Sequence, residues 1–208
     1  MRLPAVDHLV YAAPNLKQAA DQLEARLGVR AAAGGKHLGW GTHNALLSLG
    51  TGAYLEIIAP DPEQGVPERP LPLGLAGLTE PRLVTWAVKA PAIDGRVALA
   101  RAAGYDPGDV LALSRALPDG SRLDWRLTPP PTVGDGIVPF LIEWETAPHP
   151  SETAPAGCTL TRLRAEHPQP KQLGPMLAAL GVELRVGKRS SPTLIATLKT
   201  PRGRVELR

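Results

Sequence analysis

The chain has 208 residues, enough for one sizeable domain, and its 43% hydrophobic and 21% charged residues exclude a collagen-like or wholly disordered protein. Aromatic residues make up only 4%, and 23 basic against 20 acidic side chains leave a net charge of +3 with the arginines scattered, so stacking platforms and basic blocks for nucleic acid are missing. A single cysteine, Cys158, excludes an intrachain disulfide and a cysteine-rich zinc site.

In chain order, VDHLVYAA reads as a strand that stops before Pro14. Leu16, Ala20, Leu23 and Leu27 then recur at helical spacing up to Gly28. The glycine-rich stretch GGKHLGWGTHN is expected to be a loop carrying His37 and His43, and GAYLEII a strand carrying Glu56. Prolines 60, 62, 67, 70, 72 and 81 close the first block, because proline fixes φ and lacks a backbone donor. LVTWAVKA before Pro91 opens a second block, followed by Val97, Ala100, Ala103 and Gly104 and then by GSRLDWR with Asp124. IVPFLIEWET is a further strand-like run without a counterpart in the first block. After the linker APHPSETAPAG, TLTRLRAEH before Pro168 opens a third block, with Leu173, Leu177, Leu180 and Gly181, ending in GRVELR with Glu206.

The proline-to-glycine spacing is 14, 13 and 13 residues in the three blocks, which reads as three copies of one helix with proline near the first turn and glycine past the last. A strand, a helix and two or three more strands make a βαβββ unit. The expected units cover 1–60, 82–146 and 157–208; the first two form one region, 1–151, and the third packs on the same domain.

DHLVYA, the following helix and GTHNALLSLGTGAYLEIIAPDP resemble the glyoxalase-like branch of the vicinal oxygen chelate superfamily, and PFLIEW and HPS are similar to its later landmarks. The resemblance implies an α+β fold in which repeated βαβββ modules form curled mixed sheets around a cleft, with helices on the outer face. It also implies a divalent metal (Zn, Mn, Fe, Co or Ni) held by side chains from the first and last strands of each module. Carried over, those positions are His8 and Glu56 in the first module. In the second, Thr85 stands where His8 does and Asp124 aligns with Glu56; the third offers Arg162 and Glu206. The ligand set is thus His8, Glu56 and an acid from Asp124 or Glu143. Glu56 doubles as the catalytic candidate, and His43, Tyr54, Trp86 and Trp125 are the candidate ligand contacts.

Each of these residues has a plainer reading. His8 suits a hydrogen-bonded core histidine, Asp124 a partner for Arg122 or Arg126, and Glu143 a solvated edge. Glu56 is more telling, because a carboxylate inside YLEII must be exposed, paired or functional. His149 and His167, beside prolines, read as surface residues, and Cys158 as a small core residue. No GxSxG, P-loop or HExxH motif occurs.

Two functions follow from the resemblance. One is an enzyme of lyase, isomerase or dioxygenase type, in which a metal polarises a small carbonyl or enolisable molecule while a carboxylate moves a proton. The other is a non-catalytic, drug-sequestering binding protein of the same fold. The expected partner is a small molecule, with neither nucleic acid nor membrane. Without a leader-like start or an apolar run near about 20 residues, the expected compartment is the cytoplasm. An unpaired third module predicts a homodimer.

Overall fold

The computed structural model describes residues 5–50, 52–65, 70–116 and 122–208; Pro67 and the glycine turn expected at Gly120 lie outside the described residues. Strand β1 (Val6–Ala12) is buried along its whole length, as its central place requires. It pairs in parallel with β4 (Tyr54–Pro60) and antiparallel with β5 (Arg82–Lys89). Helix α1 (Leu16–Leu27) starts at Asn15, whose side-chain oxygen accepts the Gln18 N–H, and ends at Gly28 with φ of 77°, a conformation glycine takes without a Cβ penalty. Its buried stripe is Ala19, Ala20, Leu23 and Leu27.

Strands β2 (Ala32–His37) and β3 (Thr42–Ser48) complete the first module in the order β2-β3-β4-β1. The glycine-rich stretch is therefore largely strand: Gly34 to His37 lie in β2 and Thr42 to Asn44 in β3. The second module repeats the plan with β5, α2 (Ile93–Ala102), β6 (Leu111–Ala116), β7 (Arg122–Leu127) and β8 (Phe140–Trp144), and β5 runs parallel to β8. β1 and β5 join the modules, so the order β2-β3-β4-β1-β5-β8-β7-β6 mirrors itself about that pair. The sheet curls until its two edges approach, with Arg115 of β6 lying against Gly35 of β2.

This topology corrects one alignment. The run IVPFLIEWET contains β8, the last strand of the second module and the counterpart of β4. Asp124 is on β7, one strand earlier. The irregular segment between β7 and β8 has no equal in the first module, so counting by turns misplaced the acid.

The third block has the expected element order, β9 (Thr159–His167), α4 (Pro170–Ala179), β10 (Val186–Lys188), β11 (Thr193–Thr200) and β12 (Gly203–Leu207). Its pairing differs: β9 lies between β10 and β11, whereas β1 and β5 each pair with the last strand of their own module. Leu160, Leu163, Ala165, Leu194, Ala196 and Leu198 from this four-stranded sheet share one core with Leu9, Leu47, Leu55 and Trp86 and with the apolar stripes of α1, α2 and α4. The third sheet thus covers the outer, helix-bearing side of the large one. Its apolar face is buried within the chain.

The concave side has a smaller apolar cluster of Val10, Ala12, Ile58, Ala87, Phe140 and Ile142. Leu75 and Leu78, from the proline-rich connection around the 3-10 turn Pro72–Gly77, pack onto it. No helix among the described residues is long and apolar enough to cross a membrane.

Candidate functional site

The inner side of the first module is polar, and a bulge in β1 creates it. The pairing of β1 with β5 shifts between Val6 and His8. Val6 joins the outer core, while Asp7 and His8 both turn to the concave side. Asp7 is fully buried and accepts three partners: His8 Nδ1 at 2.8 Å, Trp144 Nε1 at 3.1 Å and His149 Nε2 at 3.0 Å. His149 precedes the short helix α3 (Pro150–Thr153), where its Nδ1 accepts the Ser151 N–H at 3.2 Å; Nε2 is therefore the proton-bearing nitrogen facing Asp7. Burial alone would raise the Asp7 carboxyl, but the hydrogen bonds and charge of His149 and His8 hold it far below the usual carboxylate range.

With Nδ1 tied to Asp7, His8 presents Nε2 to Glu56, 3.9 Å from Oε2. Its ring is fixed between Tyr54, stacked at 4.7 Å, and the edge of Phe140 at 5.4 Å. Glu56 accepts a 2.6 Å hydrogen bond from Asn44 Nδ2 and lies 3.8 Å from His37 Nε2. Its side chain is 13% exposed, so solvent reaches the carboxylate. Burial is the first cause that pushes His37 below the usual histidine range; Glu56 pulls it up, and the charges of Arg115 and His43 push it down. Burial, with Asp7 and Glu56 nearby, pushes the Tyr54 phenol well above its usual value and keeps it protonated.

The glycine pair in β2 makes room for this arrangement. Asn44 Oδ1 accepts the Gly35 N–H at 2.9 Å, and a Cβ on Gly34 would fall 2.2 Å from that oxygen. A Cβ on Gly35 would fall 2.5 Å from Nη1 of Arg115. Arg115 stands opposite Leu123, two places along β6 from Leu113, which pairs with Trp125; this register turns it to the concave side. Its Nη1 is buried without a hydrogen-bond partner among the described residues.

The structure brings His8, Glu56 and Tyr54 together and places the other expected site residues elsewhere. Asp124 faces outward and pairs with Arg122 at 2.8 Å. Glu143 also faces outward, opposite Arg126, and its carboxylate accepts the Ala92 and Ile93 N–H groups at the start of α2. Trp86 is fully buried in the outer core, donating to the Ile137 carbonyl at 2.8 Å. His43 pairs across with Ala59 on the outer face and lies 3.9 Å from Asp61. Trp125 is on the concave side but in the second half, 5.4 Å from Trp144. For Asp124, Glu143, Trp86 and His43 strand alternation decides: neighbours of an inward residue point out.

Sequence reasoning missed Asp7, Asn44, Trp144 and Arg115, left His37 in a loop and put His149 on the surface. A carboxylate next to His8 in an apolar strand was a usable signal, but strict alternation sends Asp7 outward and only the bulge reverses it. The other missed contacts are set by tertiary pairing.

Mirror symmetry tests the expected metal. His8 lies opposite Ala87 and Thr85 opposite Val10, so Thr85 is the counterpart of His8. Glu56 pairs with Val10 and Phe140 with Ala87, so Phe140 is the counterpart of Glu56. The second module therefore offers a hydroxyl and a phenyl ring where donors are needed, and that ring packs on His8. Among the described residues no group of three His, Cys, Asp or Glu is arranged to hold a metal ion. The donor set does not fit a metal shared between the two modules. Thr85 Oγ1 is buried without a partner among the described residues. Two surface clefts, of about 400 Å³ beside Pro14 and Gln18 and about 330 Å³ beside Leu177 and Val182, lie away from this cluster.

Two βαβββ modules joined through their first strands, with the sheet curled around an inner face, are the vicinal oxygen chelate fold. The sequence profile of the glyoxalase-like domain matches residues 6–181, and the chain belongs to that family. Among solved structures, a hypothetical protein from Staphylococcus aureus is similar over 97% of this chain and 83% of its own, with 14% identity and a TM-score of 0.63. Two methylmalonyl-CoA epimerases are also similar. The Mycobacterium tuberculosis enzyme is 21% identical over 71% of this chain and 93% of its own, TM-score 0.44. A Streptomyces coelicolor variant in complex with 2-nitronate-propionyl-CoA is 20% identical over 70% of this chain and 100% of its own, also with a TM-score of 0.44. Comparison with proteins of curated function returns no match.

Proposed function

We propose that the protein binds a small carbonyl or enolisable molecule against the inner face of the first module and moves a proton on it, using its own side chains. One observation carries this reading: a solvent-reachable carboxylate, Glu56, faces His8 Nε2 at 3.9 Å while Asp7 holds the other nitrogen of that ring. Glu56 takes a proton from the carbon next to the carbonyl. His8, in its protonated form, donates a hydrogen bond from Nε2 to the oxygen on which negative charge develops, and Asp7 stabilises that imidazolium. Return of the proton from Glu56 gives exchange or isomerisation. No step is routed through a metal.

A non-catalytic binding role is the second reading, favoured by the neighbouring apolar wall of Trp125, Trp144 and Phe140. The test incubates the protein in D₂O with a panel of small 2-oxo acids, their esters and simple ketones and follows the α-proton by NMR. The wild type is expected to catalyse exchange that chelators leave unchanged, and Glu56→Gln to slow it about 100-fold or more while retaining binding. Binding without exchange selects the second reading; no binding of any panel member overturns both.

A further inference from the structure

We infer that Arg115 is the recognition residue for a carboxylate on the ligand, so that the site takes a small carbonyl compound bearing one carboxylate, such as a 2-oxo acid. The inference rests on the reading of Glu56 and His8 above and narrows its substrate class.

Three observations carry it. A buried guanidinium N–H without a partner is costly, and such groups are ordinarily paired; Nη1 of Arg115 has none among the described residues. The side chain lies on the inner side of β6 and rests on Gly35, whose N–H is held by Asn44, and Asn44 in turn donates to Glu56. Arg115 therefore comes from the second module to the edge of the first module's cluster, and its charge reaches both His37 and Tyr54. A planar fork of N–H groups suits a carboxylate.

The local charges set the limit to one negative charge. Glu56 and Asp7 are carboxylates, and all the Asp7 partners are already within the protein. Arg115 supplies one positive charge, set on Gly35 next to the Asn44 that holds Glu56. A monocarboxylate sets one negative charge against the Arg115 guanidinium, whereas a dianion such as phosphate adds a second negative charge to a site that already holds Glu56 and Asp7.

The glycine at 35 offers a way to disturb Arg115 without removing its charge. A methyl group there collides with Nη1 at 2.5 Å and the side-chain Cδ at 2.7 Å, and a flexible side chain can move aside. The experiment is calorimetric titration with 2-oxobutanoate, its methyl ester and inorganic phosphate, on the wild type and on Arg115→Met, Arg115→Lys, Gly35→Ala and Glu56→Gln. The wild type is expected to bind the acid about tenfold or more tightly than the ester and to ignore phosphate. Arg115→Met and Gly35→Ala should erase that preference, and Arg115→Lys should keep part of it. Folding of Arg115→Met is checked by NMR titration of His37, whose pKa should rise once the neighbouring positive charge is gone.

Equal binding of acid and ester by the wild type, or a preference that survives Arg115→Met, overturns the inference and leaves the proposed function standing. Arg115-dependent phosphate binding overturns the carboxylate assignment. If the preference depends on Arg115 but Glu56→Gln changes neither binding nor exchange, the Glu56 reading fails and the anion site stands. No binding of acid or ester overturns both.

Discussion

The two halves of the large sheet share a strand plan and carry opposite chemistry on their inner faces. In the first, His8, Asn44 and His37 surround the Glu56 carboxylate, with Asp7 behind His8. In the second, the matching positions are Thr85 and Phe140, and Trp125, Trp144, Leu127 and Ile142 fill the surroundings. Backbone pairing fixes where inward side chains stand but leaves their identity free, so one half of a symmetric cradle can hold most of the polar groups while the other, apart from Arg115 on its edge strand, becomes a wall. Fold membership alone therefore does not supply a two-sided ligand set.

That contrast can be broken from the outside or sharpened from within. The largest effect is expected for Trp86→Ala, which empties a fully buried site and orphans the Ile137 carbonyl; a loss of about 3–5 kcal/mol in denaturant unfolding would mark Trp86 as scaffold of the second half. Asp7→Asn should cost about 3 kcal/mol by leaving His8 and His149 without their anionic partner. The folded pKa of Asp7 lies below its unfolded value near 3.9, so its contribution is present above about pH 4 and is lost as pH falls towards the folded value. Unfolding followed between about pH 5 and pH 2 should show a steeper acid loss for the wild type than for Asp7→Asn.

Smaller changes probe the apolar half. Thr85→Val removes a buried hydroxyl without a described partner and should stabilise by about 1 kcal/mol without weakening ligand binding; a loss of affinity would make Thr85 a ligand contact. Glu143→Ala removes the cap of α2 and should cost about 1 kcal/mol in thermal unfolding. Asp124→Ala, on the outer surface, should change stability by less than about 1 kcal/mol and leave α-proton exchange intact.

What could be read in the sequence was local. The stops of α1, α2 and α4 follow from apolar spacing and from Gly28, Gly104 and Gly181, all at positive φ. The shared facing of His8, Val10, Tyr54 and Glu56 follows from alternation, which holds once β1 has passed its bulge. Asp7 was hidden by that bulge. Asp124 and Glu143 were misplaced because the unmatched segment before β8 hid the true last strand. Arg115 reaches the site only because the edges of an eight-stranded sheet meet, a closure that no local pattern encodes.

His149 belongs to neither sheet. It sits on the connector leading from β8 to β9, which is tied to the first module where Ser48 N–H meets the Pro155 carbonyl; just beyond it, Leu160 N–H at the start of β9 meets that of Leu49. A single protease nick in that connector would loosen the hold on His149, which donates to a carboxylate at the opposite end of the sequence. The chain just past the large sheet thereby shares in holding the buried carboxylate of its first strand.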